Sequence, residues 1–361
     1  MPAVKSLHQQ STSNSKPPYI MGHSLQAISL LVSGPAGHAA SIPLTARIHE
    51  GIVLSNRDQR TLLDKMVGLF LSLVGVWGQS QKVLLVADAY YASRKVILPL
   101  LAKDHQLVTR SRVNAVAYYP ATPSKHRRRG RPRLYGDKVR LKDLAQDDSA
   151  FESAPSPVYG EQGVTIRYRV VDLLWRPVGR LVRFVLVKHP HRGTIFLLAT
   201  DTSLKPLEII EVYGHRFKIE VGFRQAVHVL GAYAYHFWMM DMNPIRRGSG
   251  NQYLHRKTPL YRQHVHRKIR AYHVFVQLAC IAQGILLHLA LNHASLVWGR
   301  FRSWLRTMNP LLPPSELVVA YALRSDLPEF LASPTPALDF TKFLDTYRDH
   351  GQTAASRESA A

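Results

Sequence analysis

The chain has 361 residues, with 47 Lys and Arg against 24 Asp and Glu, a net charge of +23. That length allows two or three domains or one core with a large insertion. The charge points to a polyanion, most simply nucleic acid, with an anionic membrane surface as the competing partner. Cys280 is the only cysteine, which excludes an internal disulfide framework and thiolate zinc clusters and fits a reducing cytoplasm.

Residues 1–22 are rich in Ser, Gln, Asn, Lys and Pro without a period, and read as an irregular lead-in with no apolar signal segment. Leu25 to Val32 and Ala39 to Ile48 are β-like runs around a Gly-Pro-Ala-Gly turn, which predicts a hairpin. A helix is expected from about Arg57 to Val76, capped by Ser55 or Asn56. Lys82 to Ala87 is an almost continuously apolar strand of the kind buried on both faces, and it ends in Asp88. A helix from about Ser93 and a strand from Gln106 to Thr109 complete an α/β pattern. Asp88 has two readings: a helix N-cap, or a carboxylate at a strand end where α/β sheets bind ligands.

Residues 112–200 read as a β-rich insertion, with strands expected at Val164–Leu173, Leu181–Val187 and Thr194–Leu198. It carries a basic loop, including Arg127, Arg128, Arg129, Arg131 and Arg133, interrupted by Gly130 and Pro132. Such a strip can enter a minor groove, lie on phosphates, or simply raise the local field. A helix follows from the Thr202-Ser203 cap through Pro206 to a stop at Gly231. On it, Tyr213, Arg216 and Glu220 fall in one narrow sector. With Arg224 they form either a metal or phosphate site or a solvated i, i+4 salt-bridge ladder.

Beyond Gly231 a basic connector, Arg246 to Arg270, carries His255, His264 and His266, with His273 just after, at spacings that fit no standard zinc pattern. Val274 to Leu291, interrupted by Gln277, Gln283 and His288, is expected to be a buried helix and not a membrane span. An aromatic helix through Trp298, Phe301, Trp304 and Leu305 and a last helix from about Ser315 to Arg324 follow. The tail from Gln352 reads as disordered.

Two motifs together resemble the DDE-type transposases of bacterial insertion sequences: Val83-Leu-Leu-Val-Ala-Asp88-Ala-Tyr-Tyr, and Tyr213-x2-Arg216-x3-Glu220. The resemblance implies an RNase H-like α/β core over 23–111, completed by the Glu-bearing segment 201–240. It also implies the β-rich insertion at 112–200, an all-helical C-terminal region at 241–330 and a loosely ordered tail at 331–361. It further implies Asp88 and Glu220 as catalytic metal ligands, and Tyr213, Arg216, Arg224 and the basic-loop arginines as DNA contacts. The cofactor would be two Mg²⁺ or Mn²⁺ ions, about 4 Å apart, driving phosphoryl transfer. Implied partners are double-stranded DNA at element ends and, where it assembles, a homo-oligomer, with no membrane; the implied location is the bacterial cytoplasm at the nucleoid. The family signature continues to a Lys where this chain has Val227. The family's first aspartate lies on a first core strand before the segment resembling Met1-Pro-Ala-Val. The expectation is therefore an N-terminally truncated member, without that strand and its preceding DNA-binding region, marginally stable and unable to cut DNA. The alternatives are a non-catalytic DNA-binding protein or repressor derived from a transposase and, last, a His-based hydrolase.

Overall fold

The computed structural model describes residues 1–8, 17–34, 37–77, 81–122, 132–158, 160–237, 239–240, 242, 245–304 and 308–332. The chain packs as two compact units, Met1–Gln283 and Gly284–Ala361. The expected lead-in is not wholly irregular: β1 (Lys5–His8) pairs antiparallel with β2 (Tyr19–Gly22). Distant chain holds this polar ribbon in place. The Ser6 N–H donates to the Ser249 carbonyl at 2.8 Å, and the Ala3 N–H to the Gln252 side chain at 3.2 Å.

The predicted hairpin is present as β3 (Leu25–Ser33) and β4 (Ala39–Ile48), followed by the short β5 (Ile52–Val53). Helix α1 (Leu62–Val76) begins later than Arg57 because Thr61 and Asp64 form a capping box, the Thr61 N–H donating to the Asp64 carboxylate at 2.7 Å. β6 (Leu84–Ala87) and β7 (Gln106–Arg110) pair in parallel across α2 (Arg94–Leu101), capped by Ser93.

The insertion comprises β8 (Val116–Pro120), β9 (Tyr135–Arg140), the single turn α3 (Leu141–Leu144), β10 (Glu152–Pro155), β11 (Thr165–Trp175), β12 (Arg180–His189) and β13 (Gly193–Ala199). It does not form a separate layer. β13 pairs antiparallel with β7, giving one eight-stranded mixed sheet ordered β6-β7-β13-β12-β11-β8-β9, with β10 on β11. Period-two alternation divides its residues between two cores. Phe184, Leu186, Phe196 and Leu198 pack with Phe70 of α1 and Ile97 and Leu100 of α2. Val185, Val187 and Leu197 pack with Ile209 and Ile210 of α4 (Pro206–His215). Each fully buried side chain of this size contributes about 1.5–3 kcal/mol.

The helix expected over 202–231 is two helices, α4 and α5 (Lys218–Leu230). At the junction the Arg216 N–H bonds to the Tyr213 carbonyl and the Ile219 N–H to the Arg216 carbonyl, a tighter i→i+3 pattern that interrupts the α ladder. Just before the break, the missing side chain of Gly214 admits Val158, since a Cβ there would lie 2.9 Å from its methyl carbon. Ser203 is not the cap: its N–H and hydroxyl donate to Asp201, and Lys205 takes the N-cap position. Pro206 at the first turn and Gly231 at the C-cap, with φ +63°, stand as expected.

After β14 (Gln252–Tyr253), parallel to β5, α6 (Pro259–Asn292) takes in half of the predicted connector. Tyr272, Val276 and Cys280 pack with Ala46 and Phe237. Its apolar window is not buried all round. Val274, Leu278, Ile281 and Ile285 are each more than half exposed, so the reading of a wholly buried helix is corrected to one with a bare apolar stripe. Among the described residues α6 is the one helix long and apolar enough to cross a membrane. The second unit contains the end of α6, α7 (Ala294–Arg300) and α8 (Glu316–Ala332). Trp298 is buried there and donates to the Leu312 carbonyl at 2.9 Å. Trp304 lies beyond α7 and is exposed, while Leu305 and the tail lie outside the described residues. The molecule is a mixed α/β protein with a mixed sheet and a helical C-terminal region.

Candidate functional site

Asp88 stands at a strand end and is at the same time an N-cap. It follows β6 with an extended backbone, and its Oδ1 accepts the Ala89 N–H at 2.7 Å, capping a single 3₁₀ turn, Ala89–Tyr91. The fully buried Thr109 on β7 donates its hydroxyl to the Asp88 carbonyl at 2.8 Å, fixing the strand end while the carboxylate stays exposed.

Glu220 sits in the first turn of α5, where a carboxylate suits the positive helix end. Arg216, at the α4–α5 junction, donates to its Oε1 at 3.1 Å and lies 5.8 Å from the centre of the Tyr213 ring. The Tyr213 hydroxyl pKa is raised, mainly by burial; Arg216 and Arg110 oppose the rise and the Asp88 charge adds to it. Burial likewise raises the Tyr91 hydroxyl, with Tyr90 and Asp88 adding to the effect. Tyr213 thus stands in the field of Asp88 and Arg216 together, and both of those residues line one groove. The ladder is only half made: Arg216 pairs with Glu220, whereas Arg224 is exposed and makes no ion pair among the described residues. Arg133 turns back to the Gly136 carbonyl at 3.4 Å. Arg127, Arg128, Arg129 and Arg131 lie outside the described residues.

The donor set does not suit a pair of divalent ions. Among the described residues no three His, Cys, Asp or Glu side chains form a group that could hold a metal. Of the two expected ligands, Glu220 already faces a guanidinium. His273 is committed elsewhere: its Nε2 accepts the Ile48 N–H at 3.1 Å, and burial, reinforced by Arg47, lowers its pKa to about 4.

Three features escaped the reading of the sequence. Arg110 closes β7 beside the Asp88 strand end, a position legible only once β6 and β7 are known to be neighbours. A cavity of about 540 Å³ lies between the insertion strands and the α4–α5 junction, with an apolar floor at Ile166, Val187 and Leu197 and cations at Arg192, Arg216 and Lys218. At its edge the nearly buried Glu161 joins Ser156 at 2.5 Å, His189 at 3.1 Å and Arg192 at 2.5 Å. Burial alone would raise the Glu161 pKa, but these three partners together hold it below the usual carboxylate value. Glu161 and His189 lie too far apart in the chain to suggest a pairing by spacing. Compared with known proteins, the chain matches no family model and no curated protein.

Proposed function

We propose that this chain is a transposase-family polypeptide with an RNase H-like core, which binds double-stranded DNA at insertion-sequence ends in the bacterial cytoplasm and lacks the carboxylate set for strand cleavage and transfer. The observation that carries the reading is the approach of two motifs far apart in the chain. Asp88 closes a parallel strand, and Arg216 of the Tyr213–Arg216–Glu220 group lines the same groove as Asp88. Ligands of α/β sheets bind beyond the carboxyl ends of strands; Arg110 ends β7 next to that of β6, and Arg216 lines the groove there and also the neighbouring cavity with Arg192 and Lys218, cations of the kind that contact phosphates. In the family two Mg²⁺ or Mn²⁺ ions activate the attacking oxygen and stabilise the leaving one. The residues present do not hold such a pair, so no cleavage step is assigned to them. Their role is to hold and orient DNA: Arg216 keeps Glu220 and Tyr213 in place, and the surrounding cations neutralise the backbone.

The half-made ladder favours a second reading, a DNA-binding protein or repressor with no catalytic role, because a solvated ion pair needs no metal. One experiment addresses both. Purified full chain is mixed with supercoiled and linear DNA carrying candidate element ends, with Mg²⁺ or Mn²⁺, across a salt series. The expected result is salt-sensitive binding without cutting, tighter on element ends than on unrelated duplex. Equal binding to both duplexes supports the repressor reading. Cleavage abolished by Asp88→Ala overturns the incompleteness, and absence of binding at about 0.1 M salt overturns the assignment altogether.

A further inference from the structure

The cavity beside the α4–α5 junction is built unlike a surface for a nucleic-acid backbone. Its floor is one face of the sheet. Ile195 and Leu197 alternate along β13, and Val187 of β12 stands opposite Ile195, so the three share a side. Ile166 and Ile210 complete an apolar bottom, and they are nearly fully buried, as are Val187 and Leu197. At about 540 Å³ the space is far larger than the voids of a close-packed interior and falls in the size range of small-molecule sites. Phe217, at the N-cap of α5, lines it while more than half exposed, so the apolar lining continues out to solvent.

The charges along its wall are of one sign. Arg192 comes from the turn between β12 and β13, and Arg216 and Lys218 come from the helix junction. Among the described residues no carboxylate lines the cavity. Glu161, at its edge, is held by Ser156, His189 and Arg192, and so fixes three of the lining residues in place. Arg192 and Arg216 each face one carboxylate, Glu161 and Glu220, which leaves further N–H donors on each guanidinium. A DNA duplex is too wide to enter such a space, and a bare phosphate gains nothing from the apolar floor. We propose that the cavity is a binding site for a small organic anion, an acyl or aryl carboxylate whose apolar body lies on Val187, Ile195 and Leu197 and whose head meets Arg192, Arg216 and Lys218. Apolar walls with a few convergent polar groups are the usual make-up of such sites, and the cations fix the orientation of the head. The site stands apart from the DNA-binding reading, and its test contains no DNA.

The probes are decanoate and 2-naphthoate, added to the purified full chain below the concentrations at which they aggregate. Controls are the uncharged carboxamide of each, which keeps the body and loses the charge, and acetate, which keeps the head alone. Calorimetry should give at least one of the two carboxylates a Kd of about 0.1 mM or tighter, with its carboxamide and acetate about tenfold weaker or more. Hydrogen exchange should slow at Ile195–Leu197 and Tyr213–Val221. Lys218→Ala should weaken binding several-fold. Ile195→Trp, at a partly exposed position, should fill the cavity and abolish binding, whereas Leu278→Gln on the bare stripe of α6 should leave it unchanged. Should the Trp variant fail to fold, the exchange map of the unaltered chain decides. No binding of either carboxylate at about 1 mM overturns the proposal, as does equal affinity for the carboxamides. So does protection confined to α6 or binding lost in Leu278→Gln, either of which places the probes on the bare stripe.

Discussion

Arg216 does two jobs that compete. It neutralises Glu220 at 3.1 Å while remaining partly exposed at the rim of a basic cavity, so its charge is divided between a carboxylate and any incoming phosphate. Glu220→Gln removes that competitor. An exposed ion pair contributes about 0–1 kcal/mol, so the Tm should barely change. On the proposed DNA-binding role, affinity for duplex should tighten a few-fold, and the slope of log affinity against log salt should steepen by about one as Arg216 gains a phosphate. An unchanged slope would mean that Arg216 does not reach the DNA.

His273 makes a prediction about acid. Its ring must stay neutral to accept the Ile48 N–H, and its folded pKa of about 4 lies below the ordinary 6.5. Between those values the unfolded chain binds a proton that the folded chain refuses, so stability falls as pH drops from 6.5 to about 4. The urea midpoint should follow that fall, and His273→Gln should flatten it by its share. Burial lowers His23 and His49 in the same direction, so the variant should reduce the slope without abolishing it.

Among the elements, α6 is divided lengthwise into a packed face and a bare one. Val276 is fully buried against Ala46 and Tyr272, and Leu278, two residues on, is more than half exposed. Thermal denaturation should separate them: Val276→Ala should cost about 1–3 kcal/mol and Leu278→Gln within roughly 0.5 kcal/mol. The bare face also marks the limit of what composition could tell. An apolar run reads as buried because nothing in it says how many neighbours it has, and here packing supplies neighbours on one side only. The long strands β11 to β13 and the β3–β4 hairpin were legible, because alternation and turn residues are local signals, whereas the shorter β8, β9 and β10 were not. The α4–α5 break was not, and neither was the role of Gly214 beside it: its missing side chain admits Val158, and only a tertiary contact gives that absence a meaning. The short pairing of β5 with β14 was invisible because two residues carry no period. At the site, Asp88 and the Tyr-Arg-Glu group could be picked out by residue type and position. Arg110 and the Glu161 cluster could not, since their neighbours come from distant strands.

For the molecule as a whole, one tight crossing brings the Gly51 turn against the N-terminal residues. Gly51 has φ +92°, and a Cβ there would lie 2.0 Å from the Ala3 carbonyl oxygen. Gln252 ties the same region together by accepting the Ala3 N–H and donating to the Val4 carbonyl. Gly51→Ala should therefore destabilise by about 1–3 kcal/mol and loosen the β1–β2 ribbon, read as a lower Tm and faster proteolysis near the N-terminus.

The placement of β13 against β7 bears on how the protein comes into being. β7 is made early, yet its second partner, at Leu197 to Ala199, emerges from the ribosome only after the whole insertion has been synthesised. The β3–β4 hairpin waits longer still, for Gln277 of α6 to bond the Leu44 carbonyl across 233 positions. Until then the nascent chain carries apolar strands with unsealed edges, the condition under which chains aggregate or engage chaperones. Synthesis should consequently yield soluble protein in proportion to how slowly the chain is translated and how well it is chaperoned, and refolding from denaturant should be slow and sensitive to concentration.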